Sequence, residues 1–431
     1  MQSFACVLRN QYIFLLKAGR CCRWLLLLWL LPVGGLNAQD ALRISMAGDL
    51  AAAQNKQAQS TIGYYNLRWG PVALRCGATE ATEYDDNLRN SGAGGGDLIF
   101  RPSLNTQLTW PVTEWNTLNV NLSGGYSFYL QHSSLNQIYL NPGTGLAFDL
   151  YIKDWVINLH DRVTVSEYSY QNPTARGNQN NEVLQNDAGI SGLWDLNQAV
   201  VNVGYDHMNY VALTKTIGQP DSVSENFFVN GGFKLRPEIM VGLESGLGLI
   251  NYEQSGATGA GAVADAVQWN VGAFSSVQIS QHLSTRLDAG YTVYTPNATG
   301  TNSLNNATAL YFQFSITHQV NDHISYSLSA GHSVDFAYNG QAYDRYFVNL
   351  DPNWNVVRNF QISTPVWYEH GKQVAVQTVS YDQYGAGLTI RRGLTQKLSS
   401  SVYYKWIKET SNSAWWNYTE NIVGLSFTYQ F

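Results

Sequence analysis

The last fourteen residues, Tyr418 to Phe431, alternate strictly in character. Val423, Leu425, Phe427, Tyr429 and Phe431 fall on one side of an extended strand, and Gly424, Ser426, Thr428 and Gln430 on the other. The same two-residue repeat runs back to about Val72, with almost no 3.6-residue periodicity in between. A long series of half-apolar strands, with no second apolar layer to cover them, fits a closed barrel whose greasy side meets lipid. The last strand must then pair with the first, because an open edge in hydrocarbon leaves backbone groups unsatisfied. A β-sandwich would alternate too, but the number of strands counted below makes it the minor reading.

Composition agrees with this pattern. Charged residues are 13% of the chain, against roughly 25% in an average soluble protein, while aromatics reach 13% and glycines number 38. Beyond the leucines near the start no run of 18 apolar residues occurs, which excludes a helical membrane protein. Residues 1–38 hold Arg9, Lys17, Arg20 and Arg23 and no acid, so the remainder carries 21 basic and 31 acidic residues. An acidic mature chain argues against a nucleic-acid partner. Cys6, Cys21 and Cys22 precede the leucines and leave Cys76 alone, so no disulfide framework and no His/Cys metal cluster is expected.

Arg20 to Arg23, the Trp24–Leu31 apolar run, Pro32 and Leu36-Asn37-Ala38 read as a signal peptide over 1–38. Residues 39–70, with the Ala/Gln-rich stretch Leu50–Ser60, form a periplasmic segment that is either a lead-in with some helical propensity or a small plug. The barrel occupies 71–431. Short turns are expected at Trp110–Trp115, Tyr151–Trp155, Asp195–Gln198, Arg236–Glu238, Ile279–His282, Val320–His323, Val356–Asn359 and Arg391–Gln396. Longer Gly/Asn/Ser-rich loops alternate with them, among them Asp85–Gly96, His132–Asn141 and Gln171–Glu182. Eight turns and nine loops give an antiparallel up-and-down barrel of about 16–18 strands, short turns periplasmic and long loops extracellular. Trp110, Trp115, Tyr151, Trp155 and Trp194 then form an aromatic girdle beside the turns.

Strand parity turns Arg75, Arg101, Arg162, Glu244, Arg286, Asp288 and Lys405 inward as pore-lining residues. Charges of both signs there either select permeants or pair across the wall and stiffen it. The loop Gln171–Glu182, carrying Arg176, is a candidate constriction.

Tyr64-Tyr-Asn-Leu67, Gly70-Pro-Val72, Glu83-Tyr-Asp-Asp-Asn87, Asp97-Leu-Ile99 with Pro102, Trp110-Pro-Val-Thr113 and Gly125-Tyr126 resemble the type 2 β-barrel porins, Gram-negative outer-membrane proteins. The match is densest over residues 62–130. The resemblance implies an outer-membrane barrel, lipid around it and a porin-like passage for small hydrophilic solutes, and it transfers no catalytic residue. A last strand ending in Phe431 after Tyr429 also resembles the signal by which such barrels engage the barrel assembly machinery. A homo-oligomer is left open. The alternative function is a component of polysaccharide export or surface assembly, with residues 39–60 contacting a periplasmic partner.

No catalytic constellation and no cofactor motif stands out, so a non-enzyme is expected. His332-Ser333-x-Asp335 groups hydrolase residue types, but strand neighbours point to opposite faces. Gly92–Gly96 precedes a strand and not a helix, so it is no phosphate cradle. Glu83, Asp85 and Asp86 hold either a calcium ion or, as the plainer reading, only solvent.

Overall fold

A computed structural model describes residues 65–88, 90, 95–167, 182–213, 221–253, 265–296, 307–336, 342–357, 359–373 and 379–431. The signal-peptide expectation, the 39–70 segment up to residue 64, and the loop carrying Arg176 lie outside these residues.

Strands form wherever apolar and small polar residues alternate, and they stop at Pro, Gly, Asn and Asp. In chain order they are β1 (Val72–Asp85), β2 (Asp97–Pro111), β3 (Thr117–Tyr129), β4 (Gln137–Leu140 with Gly145–Ile152), β5 (Trp155–Glu167) and β6 (Glu182–Asp195). There follow β7 (Ala199–Ala212), β8 (Ser222–Arg236), β9 (Ile239–Tyr252), β10 (Ala266–Ser280), β11 (Leu283–Pro296) and β12 (Ala307–Gln319). The last six are β13 (Ile324–Phe336), β14 (Ala342–Val357), β15 (Phe360–Ser363 with Val366–Gln373), β16 (Ser380–Gly393), β17 (Leu398–Ser411) and β18 (Tyr418–Gln430). Each pairs antiparallel with its neighbours, and the 21 hydrogen-bonded segments reduce to eighteen barrel strands. Two strands are interrupted, β4 around Pro142-Gly143 and β15 at Thr364-Pro365, where proline withholds the ladder donor. One three-residue segment, Leu67–Trp69, makes a hairpin with the start of β1.

All eight expected short turns are present. Two of them hold a non-glycine residue at positive φ, Lys153 at 54° and Asn197 at 67°. The region His132–Asn141 differs from expectation. It contains a 3-10 turn at Ser133–Leu135 and then the first half of β4, which pairs with Gly124–Ser127 of β3. Asn136, Asn141, Pro142 and Gly143 on either side of this short segment disguise it as loop.

β18 closes the barrel on β1, from Gly77 opposite Gln430 to Asp85 opposite Ile422. The Leu67–Trp69 hairpin covers the remainder of that edge, from Val72 to Leu74. At the join, the Cys76 carbonyl accepts from the Phe431 N–H (3.1 Å) and from Asn66 Nδ2 (2.6 Å). No ladder edge along β1 is left open, as hydrocarbon requires.

The outer face is apolar: Leu104, Leu122, Leu243, Leu310, Val402 and Val423 are all at least half exposed. Trp110, Trp115 and Tyr151 lie exposed at the turn end, where Trp155 stacks on Trp194 at 5.1 Å. Toward the loop end the outer face carries ionic pairs beside apolar side chains such as Leu310. His207 faces Glu225 (2.9 Å), His370 faces Asp382 (3.0 Å), and His332 pairs with Asp344.

Inside, bulky rings lie flat over glycines. Phe228 covers Gly204, Phe274 covers Gly242, Phe347 covers Gly331, Trp367 covers Gly385 and Tyr403 covers Gly424, each pair directly opposed across neighbouring strands. A Cβ on Gly424 would come within 2.0 Å of the Tyr403 ring. Valine there gains up to about 1 kcal/mol of strand propensity. Against that, overpacking costs about 1–3 kcal/mol, so Gly424→Val is expected to lose about 1 kcal/mol net. The readout is the urea midpoint of the folded barrel in detergent, and in a Tyr403→Ser background, where the ring is gone, Gly424→Val should no longer lower it.

Candidate functional site

The inner wall gathers the charged side chains, and glycine sets how they meet. Glu244, Gly272, Gly290 and Tyr311 stand in register across β9, β10, β11 and β12. With no side chain on the two middle strands, the Tyr311 phenol lies across both and donates to Glu244 Oε1 at 2.7 Å. Arg286 completes the group. Its guanidinium holds Asp288 (Nη2 to Oδ1 2.8 Å, Nε to Oδ1 2.9 Å), approaches Glu244 Oε2 at 3.8 Å and stacks 4.9 Å above Phe274. Planar, permanently charged and multidentate, arginine suits such a shared role.

A second row runs Tyr403, Gly424, Glu83 across β17, β18 and β1. Tyr403 donates across the glycine to Glu83 Oε2 at 2.7 Å, and Arg101 Nη2 reaches Glu83 Oε1 at 3.3 Å. Lys405 sits two residues along β17 among Glu83, Asp85 and Glu420, its ammonium 5.7 Å from the Trp367 ring. A third row, His160, Gly189, Asp206, crosses β5, β6 and β7, with Arg162 Nη1 3.6 Å from Asp187 Oδ2 beside it. Nearer the loops Arg345 Nη1 approaches Glu369 Oε1 at 3.7 Å, and Tyr381 donates to the same carboxylate. Arg75, near the turn end of β1, donates from Nε to Gln430 Oε1 at 3.2 Å.

All seven inward residues named from parity stand on the same strand face as the buried polar groups. They do not form one ring. Arg75 and Arg286 are near the turns, Arg162 and Lys405 at mid-strand, and Arg101 toward the loops. Glu244, Arg286 and Asp288 are brought together, and Arg101 and Lys405 share the neighbourhood of Glu83. The parity reading did not name Glu83, Glu369, Arg345 or the tyrosines that bridge strands. Among the described residues ten carboxylates are less than a tenth exposed, whereas Arg345 is the one lysine or arginine buried as deeply. The most deeply buried charges of the wall are therefore predominantly carboxylates.

The other candidates separate. Glu83 and Asp85 point inward and Asp86 outward, where it binds Asn421 at 2.7 Å, so the three carboxylates do not converge on a calcium ion. His332 turns to Asp344 on the outer face and Ser333 is buried on the inner, opposite Arg345, so no nucleophile–base pair forms between them. The group that does bring metal-binding atoms together, His160 with Asp187 and Asp206, is spread over 47 residues and carries no local motif.

An eighteen-strand antiparallel barrel with an apolar exterior and a charged interior defines a membrane-spanning barrel of porin size. No protein-family model and no curated protein matches the chain. Among solved structures it is similar to OccAB3 of Acinetobacter baumannii, with 12% identity, a TM-score of 0.45 and coverage of 83% of this chain and 99% of that one. Pseudomonas aeruginosa OccK2 in complex with glucuronate gives 11%, 0.46, 83% and 98% by the same measures, and P. aeruginosa OpdQ gives 11%, 0.47, 83% and 99%. These likenesses concern the barrel and transfer no residue or solute to this chain.

Proposed function

We propose that this protein is an outer-membrane channel for passive diffusion of small hydrophilic solutes, with a preference for cations. One observation carries the reading: eighteen strands close around an inner wall whose buried charges are predominantly carboxylates. Barrels of 16–18 strands have bores wide enough for an aqueous path. A fixed negative wall lowers the energy of a cation inside it and raises that of an anion. The ionic rows bear on this directly, since side chains tied to their own wall do not bridge the bore. The signal-like leader supports export, and the exposed Phe431, edge-on to Tyr429 at 5.6 Å, supports delivery by the barrel assembly machinery.

Refolded protein in planar bilayers is expected to give stepwise conductance. Under a tenfold KCl gradient the reversal potential should take the sign of potassium permeation. A correctly folded barrel that never conducts would defeat the channel reading, and an anion-selective one would defeat the charge argument.

A further inference from the structure

The third glycine row has a chemistry that permeation does not use. His160, Gly189 and Asp206 stand opposite one another on β5, β6 and β7, and Asp187 lies two residues from Gly189 on the same face. His160 Nε2 is 3.0 Å from Asp206 Oδ1, and one ligand atom from each of His160, Asp187 and Asp206 lies within 4.8 Å of the others.

Hydrogen bonding fixes which nitrogen of His160 is free. A carboxylate only accepts, so Asp149 Oδ1, 2.8 Å from Asn158 Nδ2, orients that amide with its oxygen toward His160. His160 Nδ1, 2.9 Å from Asn158 Oδ1, is therefore the donor. The neutral imidazole then directs its Nε2 lone pair at a carboxylate oxygen, and both side chains are almost fully buried, at 1% and 3% exposure. Two acceptors this close need a positive charge between them, a proton or a metal ion. A histidine whose far N–H is held by an amide oxygen, itself held by a carboxylate, is oriented as metal-binding histidines are. Glycine at 189 is what lets the two side chains meet: a Cβ there would stand 2.1 Å from Asp206 Oδ1 and 2.8 Å from His160 Nε2.

We propose that His160, Asp187 and Asp206 bind one divalent transition-metal cation, of which Zn²⁺ is the type, on the inner wall of the barrel. One imidazole nitrogen and two carboxylate oxygens form a borderline donor set, for which Zn²⁺ outcompetes Mn²⁺ and Fe²⁺. The two carboxylates balance the charge of the ion. Arg162, 3.6 Å from Asp187, is the internal competitor that occupies this carboxylate when no cation does.

The test uses the full barrel refolded in detergent, stripped with chelator and dialysed against Zn²⁺ or Co²⁺, with Co²⁺ followed by its visible absorption. The expected result is one ion per chain. His160→Gln and Asp206→Asn should weaken binding at least tenfold. Gly189→Ala keeps every ligand and should weaken it too, because its methyl group pushes the Asp206 and His160 side chains apart. Arg162→Gln should tighten binding about tenfold, the equivalent of about 1.4 kcal/mol, and a misfolded barrel does not produce a gain. Retention of no ion by the unaltered barrel overturns the proposal, as does retention unchanged by Gly189→Ala and His160→Gln. In either case the row is an imidazolium–carboxylate staple between strands. Dialysis reads binding whether or not the barrel conducts, so a silent bilayer recording leaves this result standing.

Discussion

A chain ending at Asn417 is expected to yield no folded barrel at all. It lacks β18, which pairs with β1 from Asp85 down to Gly77 and with β17 from Leu398 up to Glu409. Both partners would then present ladder groups to hydrocarbon. Each unsatisfied group there costs several kcal/mol, so some ten of them cost on the order of tens of kcal/mol, beyond the roughly 5–15 kcal/mol that hold a typical domain together. The measurement is gel migration of unboiled refolded protein, where a closed barrel runs differently from its boiled form. The truncated chain should show only the boiled position. Phe431→Ala is the control. It keeps the backbone N–H bound to the Cys76 carbonyl, so it should refold in detergent, while yielding less inserted protein in cells. Migration of the truncated chain as a folded species would mean that closure between β1 and β18 is not what holds the structure.

Arg286→Gln is expected to produce the largest change from a single side chain. The guanidinium is shared by Asp288, 7% exposed, and Glu244, fully buried, and it also lies on the Phe274 ring. Removing one partner of a buried ionic group costs about 3–5 kcal/mol. With the arginine itself 23% exposed to the bore, the lower end applies, about 3 kcal/mol. Glutamine keeps an amide of similar reach but no charge, so the loss isolates the ionic part. The denaturant midpoint should fall with an unchanged slope, and cation preference in bilayers should rise as the wall loses a positive charge. If neither quantity moved, the cluster would be an incidental surface pair.

Much of this was legible in the sequence, for identifiable reasons. Parity assigned faces because strand side chains alternate without exception over long runs, as from Val423 to Phe431. Turn positions were legible because Asn197, Pro237-Glu238 and Asn321-Asp322 are turn formers at regular spacing. Short turns even constrain register. Folding the chain about Asp195–Gln198 brings Asp206 against residues 187–189, where the structure has it opposite Gly189. Register across long loops is different, since loop length does not fix which residues oppose. That is why His160 opposite Gly189, and Tyr403 reaching Glu83 from the far end of the chain, had no signal. The glycines were visible as residues but not as gaps, because a gap exists only once the ring or phenol that crosses it is in place.

The length of the strands decides how the molecule sits in the bilayer. Strands of 13–16 residues exceed the 9–11 that a tilted crossing needs. A fourteen-residue strand at such a tilt rises about 33 Å, against an apolar band about 25 Å tall. The extra length has to emerge on one side. The Trp and Tyr residues anchor the turn end at the opposite interface, so the excess falls at the loop end, in the last few residues of each strand. The bilayer is thereby gripped low on the cylinder, and the upper rim stands clear of it as a collar.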